Sequence, residues 1–279
     1  MHTVFVTGCA TGFGRRLAER LLADGHRVVA TDPDPSTLTP LAGARALLLP
    51  LDVRDTRQVR EAVDHALAWS PPDVLVNNGG YAIFGTQEEA DLDAVRDLFD
   101  VNVLGVGRVT QALLPTLRAR AGTVVQLSSV AGRTVFPESG WYAATKHAIE
   151  AMSEALFQEC CTFGVKVRVV EPGSFDTRFL PTAIASSRPR DPGSAYAARH
   201  AVWDARKTEA LEPPQDPDLV VRAIVAALDD PRPFFRLPVG PDSERMLTLR
   251  DALGPDGYSL LQGRRNGLAA QPGDPFTPE

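Results

Sequence analysis

Lysine is almost missing from this chain. Of its 29 basic residues only Lys146, Lys166 and Lys207 are lysine, and the other 26 are arginine. Cysteine is as scarce: Cys9, Cys160 and Cys161 supply neither a disulfide framework nor metal-ligand spacing. That excludes a cysteine-stapled secreted scaffold and a zinc module, and it fits a reducing cytoplasm; the adjacent Cys160 and Cys161 read as small packing residues. The five histidines are scattered, and His147 beside Lys146 points to another helix face. No metal site is expected. No apolar run approaches the roughly 18 residues of a membrane span. The N-terminus enters the strand-like Thr3-Val4-Phe5-Val6 with no charged-then-apolar leader. A formal charge of -6 lacks the basic excess of a nucleic-acid partner.

What is present is a long alternation of apolar runs and amphipathic stretches. With 279 residues and 44% hydrophobic composition, the chain can bury a sizeable core. Strands are predicted at 3–7, 27–31, 45–49, 73–77, 122–128, 165–171 and 233–237. Helices are predicted at 13–24, 55–68, 88–98, 102–119, 141–163 and 216–228. Alternating βα units imply an α/β fold, a Rossmann-type doubly wound parallel seven-stranded sheet with ligands at the strands' carboxyl ends. One domain spans 1–262. Its irregular segment 176–214 carries Pro181, Pro189, Pro192, Pro213 and Pro214 among Phe179, Tyr196 and Trp203, and a connection that long reads as a substrate lid. Residues 263–279, rich in Gly and Pro without periodicity, read as a frayed tail.

The chemistry concentrates in a few places. Tyr142 and Lys146 stand at i and i+4, so on a helix a phenol and an ammonium address one small volume. A tyrosine titrating near 10 cannot take a proton at neutrality, and a neighbouring cation lowers such a value by roughly 1–3 units. In a chain that otherwise writes positive charge as arginine, lysine here signals a need for a compact ammonium. Ser128 and Ser129 lie shortly upstream.

Thr7-Gly8-Cys9-Ala10-Thr11-Gly12-Phe13-Gly14 joins the first strand to the first helix. Glycines there let the backbone turn tightly against a pyrophosphate, with the helix N-terminus behind it. The spacing is G-x-x-x-G-x-G, not the commoner G-x-G-x-x-G. Asp32 ends the second strand, where a carboxylate accepts from ribose hydroxyls and repels a 2′-phosphate; no cation stands at Thr11 or Pro33, so NAD is favoured over NADP. Leu51-Asp52-Val53 follows the third strand, where Asp52 either meets an adenine amino group or caps the helix near Thr56. Asn77-Asn78-Gly79-Gly80 ends the fourth, suiting a backbone close to a cofactor ribose.

Taken in order, the glycine spacing, Asn-Asn-Gly-Gly, Ser129 and Tyr142-x-x-x-Lys146 resemble the short-chain dehydrogenase/reductase family from about Val4 to Leu237. The resemblance implies that Ser129 polarises the substrate oxygen, that Tyr142 moves the alcohol proton, and that Lys146 grips the nicotinamide ribose and lowers the phenol's pKa. It implies that Asn102 supports a water relay. Glu171-Pro172-Gly173-Ser174-Phe175-Asp176-Thr177 resembles the family's Pro-Gly segment, so Pro172, Gly173, Phe175 and Thr177 join Gly8, Thr11, Gly12, Phe13, Gly14, Asp32, Asp52, Val53, Asn78, Gly79 and Gly80 around the cofactor. Gly79 departs from the family's usual Ala. Residues 80–85 and 99–102 look most like the hydroxysteroid and retinol dehydrogenase-like branch.

The expected activity is hydride transfer between nicotinamide and a secondary alcohol or ketone. The alternatives are a non-catalytic nucleotide-binding regulator and a dehydratase or epimerase working by transient hydride transfer. Ile83, Phe84, Val135, Phe136, Phe175, Phe179 and Trp203 suggest a bulky apolar substrate. The resemblance also implies a homodimer or homotetramer. Arginine bias with 23 prolines suggests a GC-rich bacterial genome.

Overall fold

A computed structural model describes residues 1–175, 177, 179–209 and 215–267. Thr3–Thr7 forms β1, a five-residue run of β-branched and aromatic side chains buried on both faces, as a central parallel strand requires. Then follow α1 (Gly12–Ala23), β2 (Arg27–Asp32), β3 (Ala46–Pro50), α2 (Thr56–Trp69), β4 (Val74–Asn77), α3 (Leu92–Phe99), α4 (Val106–Ala119) and β5 (Thr123–Leu127). The second half comprises α5 (Gly140–Cys160), β6 (Lys166–Pro172), α6 (Phe179–Ala185), α7 (Ala197–Glu209), α8 (Asp218–Leu228), β7 (Phe234–Val239) and α9 (Pro241–Arg265).

The sheet order is β3-β2-β1-β4-β5-β6-β7, every pairing parallel. Strand order reverses between β1 and β4, which opens a crevice at their carboxyl ends. One face packs on α1 and α8 through Leu17, Leu21, Val220 and Ile224. The other packs on α2, α4 and α5 through Val59, Val63, Leu113, Leu117 and Leu156. In α2 the buried residues Val59, Ala62, Val63 and Ala66 fall at i, i+3, i+4 and i+7, the stripe of a helix lying on a sheet. Fully burying a Leu such as Leu113 is worth about 2 kcal/mol, and truncation to Ala costs about 2–5 kcal/mol.

All seven strands and six helices lie where the sequence places them, with three differences. Residues 92–119 form one continuous rod, because a π-helical stretch, Asp100–Gly105, joins α3 to α4. Gly105, at the end of that stretch, lets the rod lie close against Val53, since a β-carbon there would meet Val53 Cγ2 at 2.5 Å. The expected irregular segment contains α6 and α7. The expected frayed tail begins too early, because α9 runs to Arg265. That helix escapes sequence reading because it is two short helices meeting at Gly254 (φ 70°) and Pro255, so no single apolar stripe runs through it. The expected tail beyond residue 267, and Asp176, Arg178 and 210–214 of the expected lid, lie outside the described residues.

Candidate active site

The turn after β1 is shaped by close backbone approach. Gly8 has φ 72°, and a β-carbon on it would press on Gly79 Cα at 2.7 Å. A β-carbon on Gly14 would overlap the Gly8 carbonyl oxygen at 2.1 Å. Asn78 locks the two strand ends together, its Nδ2 donating to the carbonyls of Thr7 (2.9 Å) and Gly8 (3.0 Å). Thr7 Oγ1 in turn accepts from the N–H groups of Asn78 and Gly79. A methyl on Gly79 would lie 3.3 Å from Thr7 Oγ1, a tight contact, so glycine suits this turn.

Above this turn the α1 N-terminus is open. Thr11, its N-cap, makes no side-chain capping bond, and nothing lies within 4 Å of a β-carbon built on Gly12. Unsatisfied N–H groups and the positive end of the helix dipole face that space, which fits a pyrophosphate. Asp32 stands at its edge. Its Oδ2 accepts from Ala10 N at 3.0 Å, and partial burial raises its pKa above the ordinary value against those backbone bonds. Phe13 meets Phe175 edge to face at 5.6 Å across the crevice.

Asp52 behaves differently from expectation. Its carboxylate is engaged by Arg54, with Nη2 to Oδ2 at 2.7 Å, and that pairing holds its pKa below the ordinary value. Nor does it cap α2: Asp55 does, accepting from Arg57 N and Gln58 N. Val53 packs on Gly105. The segment after β6 is clamped from an unexpected side. Asp242 at the start of α9 accepts from Ser174 N (2.6 Å) and Gln215 Nε2 (2.9 Å), and its carboxylate fills the space beside Gly173. Gly173 N donates to Val239 O, extending the β6–β7 ladder past Pro172. Thr177 Oγ1 accepts from Phe179 N and so starts α6.

At the carboxyl end of β5 the expected quartet gathers. Ser129 Oγ lies beside the Tyr142 phenol, accepts from Ala131 N and reaches Pro172 O at 3.5 Å. Lys146 Nζ donates to Leu127 O at 2.7 Å and lies 5.8 Å from the Tyr142 ring centroid. Asn102, in the π-helical stretch, is 2% exposed. Its Oδ1 accepts from Tyr81 N, while Nδ2 donates to Tyr81 O (2.8 Å) and Thr145 Oγ1 (3.1 Å). Both amide N–H donors are spent as a clamp, so Asn102's side chain has none left for a relay water.

Burial dominates the electrostatics here. Tyr142 is pushed up to about 12 by desolvation, against which the neighbouring Ser129 hydroxyl acts. Lys146 is pushed down to about 8 by desolvation, with the charge of Glu150 acting against it. The expectation that the lysine lowers the phenol is therefore not met in this structure. The ammonium is turned to a carbonyl, and removal from water outweighs its field at the ring.

The apolar residues divide into two groups. Phe84 packs with Ala82, Ala131, Tyr142, Ala143 and Ala183, and Phe179 meets the Tyr142 ring at a tilt, centroids 5.5 Å apart, so both line the approach to the phenol. Ile83 is core, packed with Val95 and Leu98, and Phe175 is 7% exposed. Trp203 lies against His200 and donates to Asn266, and Val135 is exposed. A polar network fastens this side: Glu138 accepts from Arg190 Nη2 (2.8 Å) and bonds His200 Nδ1 (2.6 Å), while Glu89 accepts from Thr86 and Ser194.

Several residues that shape the site carry no sequence signal of their own. Thr145 inside Tyr142-x-x-x-Lys146, Glu138 and Asp242 fall in no spacing that marks them, because their partners come from distant segments. Among the described residues no group of His, Cys, Asp and Glu could hold a metal ion.

The family model described as short chain dehydrogenase matches residues 2–187. The chain is 33% identical over 245 residues to Oxidoreductase BOA17 of Botryotinia fuckeliana (strain B05.10), covering 86% of this chain and 89% of that protein. It is 34% identical over 253 residues to 17-beta-hydroxysteroid dehydrogenase type 1 of Mus musculus, covering 84% and 72%. A solved short-chain dehydrogenase from Streptomyces avermitilis superposes with a TM-score of 0.81 at 33% identity, covering 96% of this chain and 99% of that one. By these matches the chain belongs to the short-chain dehydrogenase family of oxidoreductases, within its hydroxysteroid and retinol dehydrogenase-like branch.

Proposed function

We propose that this protein interconverts a secondary alcohol and a ketone with NAD(H). The observation that supports it is the meeting of Ser129, Tyr142 and Lys146 at the end of β5, beside the open α1 N-terminus. Family members bind nicotinamide cofactors, and when bound such a cofactor supplies or accepts the hydride. Gly8, Gly12 and Gly14 with the first turn of α1 would hold its pyrophosphate, Asp32 its adenosine ribose, and Asn78, Gly79, Gly80 and the 172–177 segment its nicotinamide half.

Tyr142 carries the proton. Raised by burial, its phenol stays protonated across the neutral range, the form that donates to a carbonyl oxygen in the reductive direction. Ser129 orients that oxygen through the same hydroxyl pair. In the oxidative direction Tyr142 has to release the proton first, which requires Lys146 to turn from Leu127 O toward the phenol and the ribose. Phe84 and Phe179 exclude water and favour a bulky apolar substrate such as a cyclic or aromatic alcohol. The lid reading of 176–214, a cytoplasmic location and an oligomer are parts of the same proposal. Among the described residues no helix is long and apolar enough to cross a membrane.

The test is Tyr142→Phe assayed by NADH absorbance against a panel of cyclic and aromatic alcohols and ketones. NADH binding is expected to persist and turnover to fall by about 10²-fold or more. Retention of more than about a tenth of the activity would remove Tyr142 as the acid/base, since such help is worth at least about 10² in rate.

A further inference from the structure

Behind Lys146 the protein buries more carboxylate oxygen than it satisfies. Glu150, one turn beyond Lys146 on α5, is 7% exposed, and Glu171 of β6 is 0% exposed. Both oxygens of Glu171, Oε1 of Glu150 and Oγ of Ser128 have no hydrogen-bond partner. Ser128 Oγ and Glu150 Oε1 crowd the same face of Gly132, where a β-carbon would meet them at 2.5 and 3.0 Å. Buried acceptors left this way are costly unless a charge or a proton nearby accounts for them.

The groups facing this pair come from every element around it. Arg236 of β7 bonds Glu150 Oε2 at 2.9 Å, reaches Glu154 at 3.1 Å and lies 4.0 Å from Glu171. Arg133, beyond the end of β5, lies 3.9 Å from Glu171 and binds Asp251 of α9 at 2.6 Å. On α5 itself stands Lys146, 8% exposed, whose one described hydrogen bond goes to a backbone carbonyl. Among the described residues no carboxylate reaches ion-pair distance of its Nζ, so its charge is balanced through space. In a dry interior such a field carries farther than in water.

We infer that Glu150 is the counter-charge of Lys146, a positioning residue that keeps the ammonium protonated inside the dry site, and that Glu171 is the proton-bearing half of the carboxylate pair. Burial first, and then the charge of Glu150, push Glu171 up to about 7, while Arg133 and Arg236 act against the rise and Asp251 adds to it. Two neighbouring carboxyls in such a place hold one proton between them. The carboxyl pair then carries one negative charge, shared between the Lys146 ammonium and the Arg236 guanidinium on its far side. The inference rests on the role given to Lys146 under the proposed function.

The scarcity of lysine provides the test. The full-length protein labelled with [ε-13C]lysine shows at most three signals, and Lys146→Arg assigns the one of interest. Its titration midpoint is compared in wild type, Glu150→Gln, Glu150→Asp and Glu171→Gln. Glu150→Gln is expected to lower the Lys146 midpoint by about 1 unit or more, and the alkaline limb of the turnover profile should move down with it. An unmoved midpoint would overturn the inference, whatever the loss of activity, since a merely structural glutamate would lower turnover at every pH without moving the limb. Glu150→Asp, which draws the charge back by one methylene, gives a smaller fall in the same direction. If Glu150→Gln does not fold, that fall carries the test, and its absence overturns the inference. Glu171, raised to about 7, is largely ionised by the time Lys146 titrates near 8, so Glu171→Gln should lower the midpoint too, by less than Glu150→Gln does; a fall as large as that of Glu150→Gln would make Glu171 the counter-charge instead. Failure of the proposed function is seen separately, as turnover surviving Tyr142→Phe with the lysine titration unchanged.

Discussion

Asp32 Oδ2 accepts a 3.0 Å hydrogen bond from the backbone N–H of Ala10, tying the end of β2 to the turn after β1. The bond aims the carboxylate at the edge of the crevice, where an adenosine ribose would present its hydroxyls. A 2′-phosphate there would meet like charge. Replacing Asp32 with Ala removes both the ribose acceptor and the repulsion. Steady-state kinetics with both cofactors should show KM for NADH rising about tenfold, the scale of one lost hydrogen bond to a charged group, and KM for NADPH falling. Wild-type protein that prefers NADPH would overturn the cofactor reading before any variant is made.

Gly14 is the tightest point of the same turn, with the Gly8 carbonyl 2.1 Å and Asn78 Nδ2 2.5 Å from the place of its missing β-carbon. Neither neighbour yields cheaply, because one is backbone and the other is held by two carbonyls. Gly14→Ala should cost about 1–3 kcal/mol of stability by overpacking. It should also weaken NADH binding, because the α1 N-terminus must shift away from β1. Gly12→Ala meets no atom within 4 Å, yet its φ of 59° disfavours any β-carbon. Its effect should fall on stability through the turn alone, so titrating NADH into each folded variant separates the two glycines.

The sheet was legible because parallel strands buried on both faces are continuous apolar runs, and three of them end in residues that the crevice uses: Thr7, Asp32 and Leu127. Tyr142 and Lys146 were legible because they share one helix face, whereas Ser129 and Asn102 were singled out only through the family resemblance. Asp52 was ambiguous, since a carboxylate after a strand reads the same whether it faces a ligand or caps the next helix; Asp55 makes the cap, and Asp52 pairs with Arg54 two residues on. The protonation states were out of reach of spacing altogether. Whether Lys146 lowers the phenol depends on how much water both have lost, and that is settled by Leu127 O, Glu150 and the packing of Phe84 and Phe179. α9 and its Asp242 clamp were invisible because Gly254 breaks the period that would have announced the helix.

Glu171 gives the stability of this protein a direction with pH. Its carboxyl is raised from 4.5 to about 7 in the folded chain by burial and then by Glu150. Between those values the folded state holds a proton that the unfolded state has released, so stability falls as pH rises from 4.5 through about 7. Glu171→Gln removes the group that titrates. Urea denaturation should find the variant equal to wild type or weaker near pH 5. By pH 8 it should gain about 3 kcal/mol relative to wild type, the full linkage of a shift this size. Equal pH slopes for the two proteins would mean that Glu171 is ionised in the folded state throughout.

Glu138 holds the segment over the phenol by a different route. It sits at φ 62°, outside the region favoured by a branched or long side chain, two residues before α5 begins. Its carbonyl accepts from Gly85 N, and its fully buried carboxylate bonds both Arg190 and His200, the latter on α7. One side chain thus couples the helix that carries Tyr142 to the segment that covers it. Removing one partner of a buried charged set costs about 3–5 kcal/mol, and here the loss falls on α7, which also reaches this network through His200, 3.5 Å from Glu89, and through Asp204, paired with Arg190. Glu138→Ala should therefore open residues 186–204 locally while the sheet stays folded. Limited proteolysis at that segment should speed up by about tenfold or more, and KM for the substrate should rise more than kcat falls. Glu138→Gln keeps an acceptor for Arg190 and should lie between. If Glu138→Ala instead lowers kcat with KM unchanged and proteolysis at the wild-type rate, Glu138 serves the position of Tyr142 and not the closure of the segment above it.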